Sequence, residues 1–310
     1  MNQEEERVLS AWGLEAQGWK KINDNVFAVG DQYILKRYGD RALLERNLHM
    51  LTLLDEMRIP VGRIAPARDG RKYVQEGENC WFLAEKLSGS GIVKVTGDDA
   101  LPGQMGEILA RLHQAFLRCE QAEGFRGDLR ECFRENSLLE EMRGWVKEAL
   151  RASGWEYVTE QEYESLLSRL EKLYPGLPVQ LIHRDVHFGN FLFSEGKFSG
   201  YIDFDLSQRN IRIFDLCYFC LGLLSDQAGA DMTEEQWLLF TERFFAGYEE
   251  KLPLCEAEKE SVPVVMECIE LLFAAWFARA GQRGPAENAR ELYRFVRERE
   301  KRIVTACSGR

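Results

Sequence analysis

The chain has 310 residues, 45% of them hydrophobic, and its 40 Lys and Arg against 51 Asp and Glu leave a net charge of −11. That length and apolar fraction exclude wholesale disorder and a disulfide-held miniature, and they suit two domains or one two-lobed domain. A negative total also excludes nucleic acid as the main partner, because phosphate backbones are bound by an excess of cations. The acid is unevenly placed: residues 1–86 carry 13 basic and 14 acidic side chains, whereas residues 226–270 hold 12 acids and 3 bases.

The opening MNQEEERVLS lacks the basic start and apolar core of a secretory signal. From Trp19 to Glu85 the pattern is strand-like. Asn25–Val29 and Gln32–Lys36 flank a Gly30-Asp31 turn and predict a β-hairpin. Residues 41–57 carry Leu43, Leu44, Leu48, Leu51 and Leu54 at helical spacing, and Pro60 follows. Lys72–Gln75 and Cys80–Ala84 predict two more strands. Leu87-Ser-Gly-Ser-Gly91 then reads as a linker, with conformational freedom the reason for its glycines.

Beyond it the spacing predicts helices over 105–117, 138–150, 162–173, 234–250, 264–280 and 286–303. One β-rich insert interrupts them, with strands at 179–182, 191–194 and 198–203. The longest uncharged apolar runs, Leu216–Leu224 and Leu271–Ala278, fall well short of the roughly 20 residues that span a bilayer. No membrane association is expected. Eight cysteines without an export signal predict reduced thiols and a cytoplasmic protein. The Cys217-x-x-Cys220 pair, in an apolar helical run without a second pair or a histidine, reads as two small buried hydrophobes.

Residues 181–205, LIHRDVHFGNFLFSEGKFSGYIDFD, carry the chemistry. A buried strand ends at Ile182, and the run His183–Asn190 is too dense in functional groups for an idle connection. Asp185 and Asn190 stand five apart around Gly189, and Asp203 ends a hairpin that returns toward the same loop. Two aspartates and an asparagine converging in this way make an oxygen-rich site suited to Mg²⁺ held partly by substrate phosphates. Any one of them alone would more simply cap a turn or end a strand.

The H-R-D-x-x-x-x-N run with a following Asp resembles the catalytic loop and metal-binding aspartate of the protein-kinase-like fold. The finer texture, with His187, Gly189 and Phe214-Asp215-Leu216, resembles the aminoglycoside phosphotransferase and choline kinase-like family. The resemblance covers about residues 18–280 and is most specific over 181–216. It implies an α+β, bilobal fold. A small β-rich N-lobe with one helix (1–86) would bind nucleotide, 87–91 would be the hinge, and a larger, mostly helical C-lobe (92–310) would carry catalytic loop 183–190 and Asp203.

It also implies a kinase using ATP and Mg²⁺ to phosphorylate a hydroxyl of a small molecule. Asp185 would orient that hydroxyl, Asn190 and Asp203 would hold Mg²⁺, and His183 and Asp215 would support the loop. Lys36, ending Tyr33-Ile-Leu-Lys36, would touch the α- and β-phosphates, with Glu45 its partner from the helix. Asn25, in a glycine-poor turn, would cover the phosphates, and the backbone of Glu85 and Leu87 would bond adenine. Arg184 and Asp205 have no assigned role, and His113 reads as a packing residue.

Two rivals remain in view. A protein kinase needs a longer segment than the 11 residues between Asp203 and Asp215, which hold one hydroxyl, Ser207, and no A-P-E. A pseudokinase or scaffold of the same fold would be expected to have lost a metal ligand or Asp185, and all of these are present. The acceptor's identity stays open among aminoglycoside-, choline- and homoserine-like compounds, as does the oligomeric state. The acid-rich segment 226–270 would draw in a cationic acceptor if it faces the cleft, and would be a set of solvated helix faces if it does not.

Overall fold

A computed structural model of the chain describes residues 3–92, 95, 97–122, 137–225 and 229–309. These divide into two compact units. The first comprises 3–92, 118–122 and 188–205; the second comprises 95, 97–117, 137–187, 206–225 and 229–309.

In the first unit, β1 (Lys20–Lys21), β2 (Val26–Val29), β3 (Tyr33–Tyr38), β4 (Ile64–Ala65), β5 (Val74–Glu76) and β6 (Asn79–Glu85) form one antiparallel sheet. Its order is β1-β2-β3-β6-β4, with β5 also paired to β6. Successive side chains on a strand face opposite ways, and the sheet uses both faces. Phe27, Val29, Leu35, Trp81 and Leu83 pack together with Val8 and Leu9 of α1 (Gln3–Ser10). Tyr38, Cys80, Phe82 and Ala84 pack with Leu44 and Leu48 of α2 (Arg41–Glu56). Helix α1 has too few apolar positions for its period to register in the sequence. Asp40 starts α2 by accepting hydrogen bonds from the amides of Ala42 (2.8 Å) and Leu43 (3.3 Å), which offsets two of the unpaired donors of the first turn.

The glycines of 87–91 meet a packing demand. Ser90 exchanges two backbone hydrogen bonds with Phe193 of β8 (Phe191–Ser194), at 3.1 and 2.9 Å. Gly89 there has φ +100°, and a Cβ on it would strike the Phe193 carbonyl. Close backbone approach, more than freedom of a linker, requires glycine at that position. Strand β8 pairs with β9 (Lys197–Tyr201), and the Tyr201 amide donates to the Pro60 carbonyl at 2.9 Å. Residues 188–205, taken from sequence as part of the helical lobe, therefore belong by contact to the first unit.

The second unit is built from α3 (Leu101–Gln121, up to residue 117), α4 (Leu138–Glu141), a π-turn over Met142–Val146, α5 (Lys147–Ala152), α6 (Glu160–Leu173), α7 (Ile213–Ser225), α8 (Glu234–Glu249), α9 (Glu256–Arg279), α10 (Arg283–Glu298) and α11 (Glu300–Ser308). Strands β7 (Val179–Ile182) and β10 (Gln208–Ile211) pair antiparallel within it. The single β insert expected from sequence is thus two separate two-stranded sheets, because the unpredicted strand β10 takes the place beside β7.

Helix α9 is the centre of the second core: from Ser261 to Leu272 every side chain is buried. Among the described residues it is the one helix long and apolar enough to cross a bilayer, yet 78% of that stretch is buried by the rest of the fold. It starts at Glu256, well before the predicted 264, and runs through Pro263. The helix predicted over 286–303 breaks at Arg299 into α10 and α11, and the one over 138–150 is interrupted at Gly144. Apolar periodicity continues across such breaks, so it does not report them. Cys217 and Cys220 are buried in α7 as free thiols.

Helices α3 and α8 cross at glycines. A Cβ on Gly106 would fall on the Phe244 carbonyl and 2.6 Å from the Tyr248 amide; one on Gly247 would fall on the backbone of Gly103. Gly106→Ala and Gly247→Ala should each destabilise the protein by about 1–3 kcal/mol through overpacking. Urea melts at matched concentration check this, and an unchanged midpoint for both would refute so tight a crossing.

Candidate functional site

Chemistry-bearing side chains gather in two places, one in each unit. In the first unit the alternation along β3 puts Ile34, Lys36 and Tyr38 on one face. They line a cavity of about 110 Å³ together with Phe82, Ala84 and Asp203. Lys36 Nζ lies 2.8 Å from Asp203 Oδ1 and 3.1 Å from Asp205 Oδ2. The Tyr38 hydroxyl donates to Asp205 Oδ1 at 2.6 Å, Asn47 Nδ2 donates to the same oxygen at 2.8 Å, and Arg46 Nη2 donates to the Asp205 carbonyl at 2.7 Å. Burial works to lower the Lys36 pKa, but Tyr38, Asp205 and Asp203 outweigh it and the ammonium is held firmly charged. Burial is also the main cause that raises the Tyr38 phenol, so it stays a hydrogen-bond donor.

The helix residue facing Lys36's carboxylate partner is Asn47. Glu45 does not pair with Lys36: it accepts from Arg41 Nε and from the Tyr73 hydroxyl, both at 2.8 Å. The reason is helical geometry. Glu45 and Asn47 are two positions apart, about 200° of rotation, so the two lie on opposite sides of α2. Asp205 supplies the second carboxylate instead.

Asp203 has φ +62°, a left-handed conformation that aspartate tolerates better than most residues. The Ile202 amide, one residue before it, donates to the Asn190 carbonyl at 3.1 Å, which brings Asn190 beside the end of β9. Asn190 is itself buried. Asp203 and Asn190 offer a carboxylate and an amide oxygen, hard donors of the kind that suit a divalent cation such as Mg²⁺.

Glu85 and Leu87 line the same cavity. The Glu85 amide already donates to the Arg63 carbonyl at 2.8 Å. Asn25 is exposed in the turn between β1 and β2, and its Oδ1 accepts from the Arg37 guanidinium at 3.3–3.4 Å.

In the second unit the centre is Asp215, fully buried at the start of α7. It accepts from the amides of His183 (Oδ2) and Arg184 (Oδ1), both at 2.9 Å. His113 bridges Asp215 Oδ2 (Nε2, 3.0 Å) and the Tyr248 hydroxyl (Nδ1, 2.8 Å). Arg184 has φ +69°, and its guanidinium forks onto Glu141 at 2.6 and 2.8 Å and reaches Gln208 at 2.5 Å. The Asp185 amide donates to His183 Nδ1 at 3.3 Å. The Tyr218 hydroxyl donates to Asp185 Oδ1 at 2.9 Å, and His187 Nε2 stands 3.7 Å from Oδ2. Burial, followed by the Asp185 charge, keeps the Tyr218 phenol protonated.

Asp185 opens onto a cavity of about 780 Å³. Helices α7, α9 and α10 each give it one stripe at helical spacing: Tyr218 and Leu221, Phe273 and Phe277, Ala289 and Leu292. Tyr38, Asn47, Tyr218 and this wall went unremarked in the sequence. A signal existed for Asn47, a polar residue among Leu44, Leu48 and Leu51, and for Tyr218, a hydroxyl within the apolar run Leu216–Leu224.

Replacing Arg184 alone removes the guanidinium that forks onto a buried carboxylate. Arg184→Met should cost about 3–5 kcal/mol, and Arg184→Met with Glu141→Leu should recover most of it. Guanidinium melts of the two variants decide this; equal stability would refute it.

Residues 17–259 match the phosphotransferase enzyme family. A homoserine kinase of Phenylobacterium zucineum is 34% identical over 276 residues, covering 86% of this chain and 78% of that one. Among solved structures, an amicoumacin kinase in complex with AMP-PNP, Ca²⁺ and amicoumacin superimposes with TM-score 0.70 at 17% identity, covering 93% of this chain and 91% of that one. A microcompartment-associated aminopropanol kinase gives 0.64 at 19%, covering 98% of both chains.

Proposed function

Because the chain belongs to the phosphotransferase enzyme family, we propose that it transfers the γ-phosphate of ATP, with Mg²⁺, to a hydroxyl of a small molecule. The observation that carries this reading is the Lys36–Asp203–Asp205 cluster beside an apolar slot: a fixed cation and hard oxygens next to a surface fit for a purine.

In this reading Lys36 binds the α- and β-phosphates, and Asp205, braced by Tyr38 and Asn47, keeps it extended. Asn190 and Asp203 hold Mg²⁺. When bound, the metal neutralises charge on the phosphate oxygens as the phosphoryl group moves. The Glu85 carbonyl and the Leu87 backbone are left to meet adenine, since the Glu85 amide is engaged by Arg63. Asn25, tied to Arg37, shapes the hairpin that would cover the phosphates.

Asp185 accepts the acceptor hydroxyl's hydrogen bond and orients its oxygen for in-line attack, while Tyr218 sets the rotamer of Asp185. His183 and Asp215 hold the loop backbone and touch no substrate. The homoserine kinase, amicoumacin kinase and aminopropanol kinase relatives support a small molecule as acceptor.

Asp185→Asn should lower turnover about 10²–10⁴-fold, the usual worth of a positioned acid–base group, while Mg·ATP still raises the melting temperature. No shift with Mg·ATP, or turnover insensitive to Asp185→Asn, would sink the reading. Asp205→Asn should raise the ATP KM several-fold, and Glu45→Gln should leave it within about twofold, because Asp205 meets Lys36 and Glu45 does not. Steady-state kinetics in ATP separate these two.

A further inference from the structure

The 780 Å³ cavity at Asp185 is lined by a second carboxyl group that the proposed reaction leaves unused. Glu270, on α9 one turn before Phe273, lines it and is only 4% exposed. Among the described residues nothing hydrogen-bonds to or pairs with its carboxylate. A buried carboxyl without a partner is costly, and a ligand that brings the missing cation removes the cost. We propose that the acceptor is an alcohol carrying a single amine on a largely apolar body, with Glu270 binding its ammonium and Asp185 its hydroxyl. This deepens the phosphotransferase reading and rests on it.

The walls specify the rest of the molecule. Tyr218 and Phe273 have ring centroids 5.8 Å apart and Phe273 and Phe277 6.1 Å apart, a set of aromatic faces that favours an organic ammonium and an apolar body. No Lys or Arg occurs among the described lining residues, so an acceptor's own carboxylate would find no basic partner but His187. Among the described residues one carboxylate besides Asp185 lines it, too few for a polycation. The other acids of segment 226–270 are occupied elsewhere where they are buried: Glu258 pairs with Arg212 and Glu267 with Arg169.

Burial alone pushes the Glu270 carboxyl up to about 8. In the empty cavity near pH 7 it is mostly neutral, and an arriving ammonium favours loss of its proton. The charged form grows as pH rises through 8, so affinity for an amine should strengthen between pH 6 and 8 while the amine itself stays protonated. The cavity's other ionisable groups are Asp185, His187 and Tyr218, and α10 contributes none. A neutral analogue measured alongside cancels their effect.

The test compares phenylalaninol with its des-amino analogue as acceptors for the intact protein with Mg·ATP, and includes homoserine and kanamycin. The expected result is a preference for phenylalaninol of at least tenfold in kcat/KM, growing from pH 6 to 8. Glu270→Gln should erase it by raising the amine's KM about tenfold or more, leaving the analogue's KM and the ATP KM unchanged. If Glu270→Gln does not fold, Phe273→Leu, which keeps the carboxylate, should weaken the amine several-fold more than the analogue.

Equal handling of amine and analogue by the unmodified protein overturns the proposal. So does a preference that survives Glu270→Gln, or better turnover of homoserine or kanamycin than of phenylalaninol. Transfer to neutral alcohols without amine preference sinks this assignment alone. Absence of Mg·ATP binding sinks the phosphotransferase reading beneath it.

Discussion

Asp215 is the group on which the second unit's chemistry depends. A fully buried carboxylate can persist only where donors surround it, and here they are the successive amides of His183 and Arg184 with the His113 ring behind them. Holding two consecutive amides on one carboxylate fixes the turn of the loop and stabilises the left-handed conformation of Arg184. With that turn set, the Arg184 side chain runs inward to Glu141 and Gln208, and Asp185, one residue on, meets Tyr218 at the mouth of the helical cavity. The position of Asp185 is thus set largely by groups buried behind the loop.

The first unit solves a different problem with the same economy. The Lys36 ammonium is kept charged and extended, although burial opposes the charge. The period of two along β3 puts Lys36 and Tyr38 side by side, and the pair Asp203 and Asp205, two apart after β9, meets both. Asn47 and Arg46 then tie Asp205 to α2. The helix contributes an amide where a carboxylate was expected, and the carboxylate comes from the hairpin. Charge at the site is the same; the element that supplies it has changed.

Much of this was legible in residue order. The hairpin of β2 and β3, helix α2, and the strand pair β5 and β6 all announce themselves through local periodicity and turn residues, and the run 181–205 carried the family resemblance. What periodicity could not report were breaks and partners. The split of α10 from α11 at Arg299, the early start of α9, and strand β10 beside β7 all depend on contacts with distant segments. The glycines at 89 and 91 looked like slack in a linker and are in fact sites of close backbone packing.

By itself the sequence determined the family and the α+β composition and singled out Lys36, Asp185, Asn190 and Asp203 as candidates, because those readings depend on short-range order: a loop of fixed spacing, a strand alternation, an Asp two residues past a hairpin. Only the tertiary structure decided which side chains meet. Whether Glu45 or Asp205 pairs with Lys36 turns on about 200° of helix rotation. That Glu270, one acid among the twelve of segment 226–270, lines the cavity at Asp185 with no partner among the described residues follows from where α9 lies among α7 and α10. Charge is a property that composition can count, whereas the cost of burying it, and hence its use, exists only once neighbours have excluded water.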